Sequence, residues 1–364
     1  MKISEAILLL DKSKCLANIE FMVSKAKNTN ILLRPHFKTH QSAEIGLWFR
    51  QLGCSTCTVA SVEMAEYFAQ NGWNNITLAI PLNILQFKSV ENLAKEISLN
   101  IVLDNLQTAI FVAKNTKTAL GVFIKIDTGY GRAGVLAENL AAIDELLNEI
   151  STNNRLQFKG FLSHFGHTYK AQSAGEIKKI YAEGLTQLSV LKNVYKSKFP
   201  ELIISIGDTP GATLLDSFEG ADEIRPGNFV FYDLMQESLG VCNHNQIAIA
   251  LAAPVIGIYP EQNKVLLHAG AVHFSKEYLP ANEKKVFGLP VIINQNSWSE
   301  PIPDCYLASV SQEHGVLYAT NELISELKIG SIIGILPVHS CLTGQAMKSY
   351  RTLNGEHIDT MHSF

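Results

Sequence analysis

A chain of 364 residues, 47% hydrophobic and 18% charged, can bury a large core without disulfide staples, and its composition excludes wholesale disorder. A net charge of −4 with no basic run excludes nucleic acid and anionic membrane surfaces as partners, so any functional positive charge is local. The opening apolar run is broken by Asp11 and is too short for a signal peptide; the stretch Ile247 to Ile258 contains Pro254 and is too short to span a bilayer, so a cytoplasmic protein is expected. Six scattered cysteines do not suggest a disulfide framework. Cys54-Ser-Thr-Cys57 is a lone C-x-x-C leading into a strand-like run, and is read as small buried residues, not as a redox or metal pair.

Along the chain, apolar strand-like runs alternate with amphipathic helical ones. Strands are expected at Ile31–Arg34, Thr56–Ala60, Ile76–Ile80, Ile101–Leu103, Leu120–Asp127, Phe158–His164, Leu202–Ile206 and Glu223–Arg225. Helices are expected at Gln41–Gly53, Val62–Asn71 (closed by Gly72), Phe87–Ile97, Leu106–Lys114, Ala137–Ser151 and Ala174–Phe199. About eight such units in about 220 residues fit a (β/α)8 TIM-type barrel. A doubly wound sheet is the alternative, but no Gly-x-Gly-x-x-Gly opens a helix after the first strand. After residue 240 the texture turns to short extended runs, broken by one helix-like piece at Glu322–Leu327, which predicts a C-terminal mostly-β domain. Asn354-Gly355 between two extended runs predicts a hairpin with a type I′ turn. The expected division is 1–238 for the barrel and 239–364 for the β domain, with the first strand, about residues 1–12, open to joining the latter.

Five polar clusters fall just after apolar strands, where a barrel places its reactive side chains: Arg34 to His40, Asp127 to Arg132, Ser163 to Tyr169, Gly207 to Thr213 and Arg225 to Asn228. Within the first, Lys38 has Arg34, His36 and His40 close in sequence; cationic neighbours and partial burial favour a neutral, nucleophilic amine. A solvated surface lysine is the competing reading, and Lys38 alone does not exclude it.

Arg34-Pro-His-Phe-Lys-Thr-His40, Ile126-Asp-Thr-Gly-Tyr-Gly-Arg-Ala-Gly134, Gly166-His-Thr-Tyr169, Gly207-Asp-Thr-Pro210, Arg225-Pro-Gly-Asn-Phe-Val-Phe-Tyr-Asp233 and Pro337-Val-His-Ser-Cys341 stand in order over nearly the whole chain. Together they resemble the D-serine dehydratase and D-threonine aldolase family of alanine-racemase-like, fold type III pyridoxal phosphate (PLP) enzymes. The resemblance implies a PLP-bearing barrel, a C-terminal β domain and a homodimer. It implies that Lys38 holds PLP as a Schiff base, that Arg132 meets the cofactor's phenolic oxygen, and that Thr209, Gly227 and Asn228 bind its phosphate. Tyr169 and His167 would line the pocket, and Arg225 would face the pyridine nitrogen. His339 and Cys341 would be metal ligands, a soft pair suited to Zn²⁺, with Mn²⁺ or Mg²⁺ as alternatives. A core histidine beside a buried thiol is the competing reading of an isolated H-x-C.

The family's aldolases carry Asp where Cys341 stands, so Cys341 points to dehydration of a β-hydroxy-D-amino acid such as D-serine. The alternatives are retro-aldol cleavage of D-threonine or 3-hydroxy-D-aspartate, and a non-catalytic PLP-binding protein. Three departures are visible: Gln41 where the family often has Lys, Val338 where it has Asn, and no Thr-Pro before the first strand.

Overall fold

The computed structural model describes residues 3–281 and 283–362. It divides into two compact units, one of Met22–Lys38 with Phe49–Gly227, the other of Met1–Phe21, Thr39–Trp48 and Asn228–Phe364. The first is the expected barrel. Its strands are β1 (Leu32–Leu33), β2 (Cys57–Val59), β3 (Asn75–Pro81), β4 (Ser98–Leu103), β5 (Leu120–Asp127), β6 (Leu156–Ser163), β7 (Ile203–Ile206) and β8 (Glu223–Ile224). Every neighbouring pair from β2 round to β8 and on to β1 is parallel. The ring closes through a parallel bridge between His36 and Thr58, where Phe37 N donates to Thr58 O and Thr58 N to Pro35 O, both at 2.9 Å.

The strands form where the chain is continuously apolar, as expected of strands covered on both faces. β5 is buried along its length except at Asp127. The helices start where a side chain can accept a free N–H of the first turn: Ser61 caps Val62–Gln70, Asn105 caps Leu106–Asn115, Asn139 caps Leu140–Ser151 and Ser173 caps Ala174–Tyr195. The Asn139 cap explains why the helix expected from Ala137 begins three residues later. Cys54 and Cys57 are buried free thiols, as read from the sequence.

Inside the barrel a polar chain runs between short strands. Arg34 Nε donates to Glu223 Oε2 at 2.6 Å and its Nη1 to Asn75 Oδ1 at 2.8 Å. Ser205 Oγ donates to Glu223 Oε1 at 2.6 Å and accepts from Arg225 Nε at 2.7 Å. Arg34, read from the sequence as a cation acting on Lys38, is instead a buried partner of Glu223.

The second unit is built on an extended sheet. Its long strand Ile249–Tyr259 pairs antiparallel with Ile7–Leu10, Ile332–Pro337 and Lys264–Leu267. Pro254 lies within this strand, where its carbonyl accepts from His268 N at 2.9 Å. Strands Ser349–Thr352 and His357–Asp359 form the expected hairpin, but not with a type I′ turn. That turn needs positive φ at both central residues, and only Gly355 has it, at +90°. Gly355 N donates to Thr352 O at 2.8 Å and Thr352 N to Glu356 O at 2.9 Å, the pattern of a type I turn followed by a glycine bulge. The longest helices not expected from the sequence are Lys12–Asn28, capped by Asp11, and Ser340–Met347, which opens directly after His339. No described helix is long and apolar enough to cross a membrane.

Candidate active site

Because the barrel strands are parallel, their C-terminal ends share one mouth. Lys38 follows β1, and its side chain is exposed, not partly buried. Arg132 follows β5 and is also exposed, its guanidinium 5.0 Å from the centre of the Tyr130 ring. His167 and Tyr169 stand half-buried on the turn Gly166–Lys170 after β6. Thr209 begins the helix Thr209–Leu214 after β7. Arg225 and Gly227, both buried, follow β8. Arg225 is held by Ser205 and by the carbonyl of Ser163, which accepts from Nη2 at 2.6 Å. Burial lowers it to about 10, so it stays charged at neutral pH.

One residue not singled out in the sequence, His164, shows that these cations converge. Burial, then Lys38, Arg132 and Arg225, hold its imidazole well below the usual range, against a hydrogen bond that raises it. That bond runs from Nδ1 to the Gly207 carbonyl, an acceptor only, so the neutral ring carries its lone pair on Nε2. Lys125, buried on β5, is likewise lowered to about 8 by burial, Arg225 and Arg132. Four cationic side chains around one mouth suit an anionic ligand. The buried hydroxyl of Thr209 has no hydrogen-bond partner, and its backbone N–H faces Tyr169 Oη at 3.3 Å. The backbone N–H already donates to Tyr169 Oη, and a phosphate oxygen would give the hydroxyl its missing partner, so the residues present fit PLP.

Asp208 fastens the two walls that carry Tyr169 and Thr209. Its carboxylate accepts from Thr168 Oγ1 at 2.6 Å, from Gly211 N at 3.0 Å and from the Tyr181 hydroxyl. Burial outweighs these donors and pushes the acid up to about 6. The folded chain therefore binds this proton more tightly than the unfolded chain does. The resulting stability is full below about pH 4 and is lost as pH rises through about 6, on the order of 2–3 kcal/mol in all. Denaturant unfolding from pH 4 to 7 is expected to show this fall in the wild type and to lack it in Asp208→Asn; parallel curves would refute it.

The second unit holds the other expected pair. Cys341 stands close enough to His339 to help hold its imidazole above the usual range. Cys341 Sγ also lies 3.2 Å from Thr39 Oγ1 and 3.7 Å from Asn228 Nδ2. Asn228, expected at the phosphate, directs its amide donor to Asp233 Oδ2 at 2.6 Å, to Ser340 Oγ at 2.9 Å and to this sulfur. Burial opposes a charged His339, but Cys341, Glu277 and Asp233 outweigh it and hold the imidazole above its usual range. Among the described residues no three His, Cys, Asp or Glu gather as a complete cage. Imidazole beside thiol, with hydroxyl and amide donors on the sulfur, fits a two-ligand centre that keeps positions open.

The alanine racemase N-terminal domain family matches residues 10–234, and the putative serine dehydratase domain matches residues 248–353. The chain is 30% identical to the D-serine dehydratase of Dictyostelium discoideum, over 96% of this chain and 93% of that protein. It is 26% identical to the D-threo-3-hydroxyaspartate dehydratase of Delftia sp. (strain HT23), over 95% and 93%. That enzyme's solved structure superposes with a TM-score of 0.90 at 24% identity, over 100% of this chain and 98% of that one. A cysteine-to-alanine variant of it has been solved in the metal-free form. Likeness to the D-threonine aldolase of Arthrobacter sp is lower, 21% over 91% and 84%. The chain therefore belongs to the alanine-racemase-like, PLP-dependent lyase family that contains the D-serine dehydratases and D-threonine aldolases.

Proposed function

We propose that the chain dehydrates a β-hydroxy-D-amino acid, D-serine or a close relative, to a 2-oxo acid and ammonia, as a homodimer using PLP and Zn²⁺, with Mn²⁺ or Mg²⁺ as alternatives. The observation that carries the choice of reaction is Cys341 beside His339, with Thr39 and Asn228 on its sulfur. The resemblance places Asp here in the aldolases and Cys in the dehydratases, and a thiolate is the softer ligand for a borderline-soft divalent cation. Full-length likeness to two dehydratases supports the same choice.

Bound PLP supplies an electron sink for charge left at Cα, and a bound divalent cation a Lewis acid for the β-oxygen. Lys38 Nζ takes the α-proton. Thr209 and Gly227 would bind the phosphate, Arg132 would meet the cofactor's phenolic oxygen, and His167 and Tyr169 would line the pocket. Arg225, anchored on Ser163 and Ser205, would present a fixed positive charge to the pyridine nitrogen. Neutral His164 adds an acceptor at Nε2 without adding charge. The α-proton and β-hydroxyl leave as water, and one water returns when the C–N bond is hydrolysed, so the net reaction is balanced.

Product analysis with D-serine, D-threo-3-hydroxyaspartate and D-threonine tests this. Equimolar 2-oxo acid and ammonia are expected. Glycine with an aldehyde would replace the reading by an aldolase, and no turnover by PLP-loaded protein would replace it by a binding protein.

A further inference from the structure

We infer that Glu277 is a positioning residue of the metal site: its carboxylate fixes Nδ1 of His339, so that Nε2 is the nitrogen presented beside Cys341. This rests on the metal reading above and identifies the group behind the ligand. Glu277 Oε2 lies 2.6 Å from His339 Nδ1. An imidazole whose Nδ1–H donates to a carboxylate has only Nε2 left for coordination. The carboxylate also sets the ring's rotation and raises its basicity.

The structure builds this arrangement from two segments. Glu277 follows the helix Ala271–Phe274, which ends at Ser275 with φ +100°. Ser275 Oγ accepts from Glu277 N at 3.2 Å and so fixes the turn. The fully buried Thr343 lies on the helix that opens after His339. Its Oγ1 reaches the carbonyls of Phe274 at 3.2 Å and His339 at 3.1 Å. One hydroxyl thus ties the segment bearing the carboxylate to the segment bearing the imidazole. Charge agrees with the geometry: a Cys341 thiolate and a Glu277 carboxylate together neutralise a divalent cation, which the thiolate and a neutral imidazole alone would not.

The test is zinc and cobalt binding to the purified full chain as wild type, Glu277→Ala and Glu277→Gln, at matched PLP content, against a chromophoric chelator. Wild type is expected to hold one metal per chain. Glu277→Ala is expected to bind about 10- to 100-fold more weakly. Glu277→Gln, whose amide oxygen still accepts from Nδ1–H, is expected to fall between. Cobalt-saturated Glu277→Ala should keep the sulfur-to-metal charge-transfer band of Cys341, which shows the ligands intact. Equal affinity in all three proteins overturns the inference and leaves the metal reading standing; a wild type that binds no metal overturns both. If Glu277→Ala does not fold, Glu277→Gln decides, and wild-type affinity there overturns the inference.

Discussion

Lys38→Ala is expected to turn over β-hydroxy-D-amino acids at least roughly 10³-fold more slowly than wild type, on the order of 4 kcal/mol in barrier. The same change should abolish the visible absorption of covalently held PLP. Both follow from the two roles proposed for one amine, anchoring the cofactor and taking the α-proton. Lys38 is exposed, so its truncation opens no core cavity, and the stability of the cofactor-free protein should stay within about 0.5 kcal/mol. Spectra after borohydride treatment, steady-state rates and denaturant unfolding check the three parts. Lys38→Arg keeps the charge but not the chemistry and should be as inactive as Lys38→Ala. Substantial activity in either variant would remove Lys38 from its assigned role.

Cys341→Ala is expected to lose the metal and with it several kcal/mol of help to the leaving hydroxyl, roughly 10³-fold in rate, while PLP absorption persists. Cys341 stands between Thr39 and Asn228, neither of which can replace a thiolate as a soft ligand. Metal content by atomic emission and rates with and without added Zn²⁺ check this. Cys341→Asp probes the choice of reaction: installing the residue that the family's aldolases carry should raise glycine relative to 2-oxo acid. A Cys341→Ala protein with full metal and full activity would separate this residue from the chemistry.

Much of the barrel was legible because its strands are continuous apolar runs; Leu120–Asp127 was read with both ends correct. The helix Lys12–Asn28 was missed although its signal is present: Cys15, Ile19, Met22, Val23 and Ala26 repeat at helical spacing and are all buried. Asp208 also left a signal, an acidic cap before Thr-Pro. Glu277 left none. It lies 62 residues from His339, and only the folded sheet brings them to 2.6 Å. Arg34 was misassigned for a related reason. Its sequence neighbours suggested influence on Lys38, but β1 turns its side chain inward to a partner 189 residues away. Local sequence reports which end of a strand a residue occupies, not which long-range partner claims its charge.

The seam of the barrel has a consequence for motion. β1 and β8 are two-residue strands, so few ladder bonds hold the backbone that leads to Lys38. Such thinly laddered backbone is where native proteins open first. The Arg34 clasp on Glu223 and Asn75 spans β8, β1 and β3 and replaces by side chains what the short ladder lacks. The lysine is thus mounted on a short tether pinned at its root, and in the role proposed for it the clasp would hold the origin of its swing still.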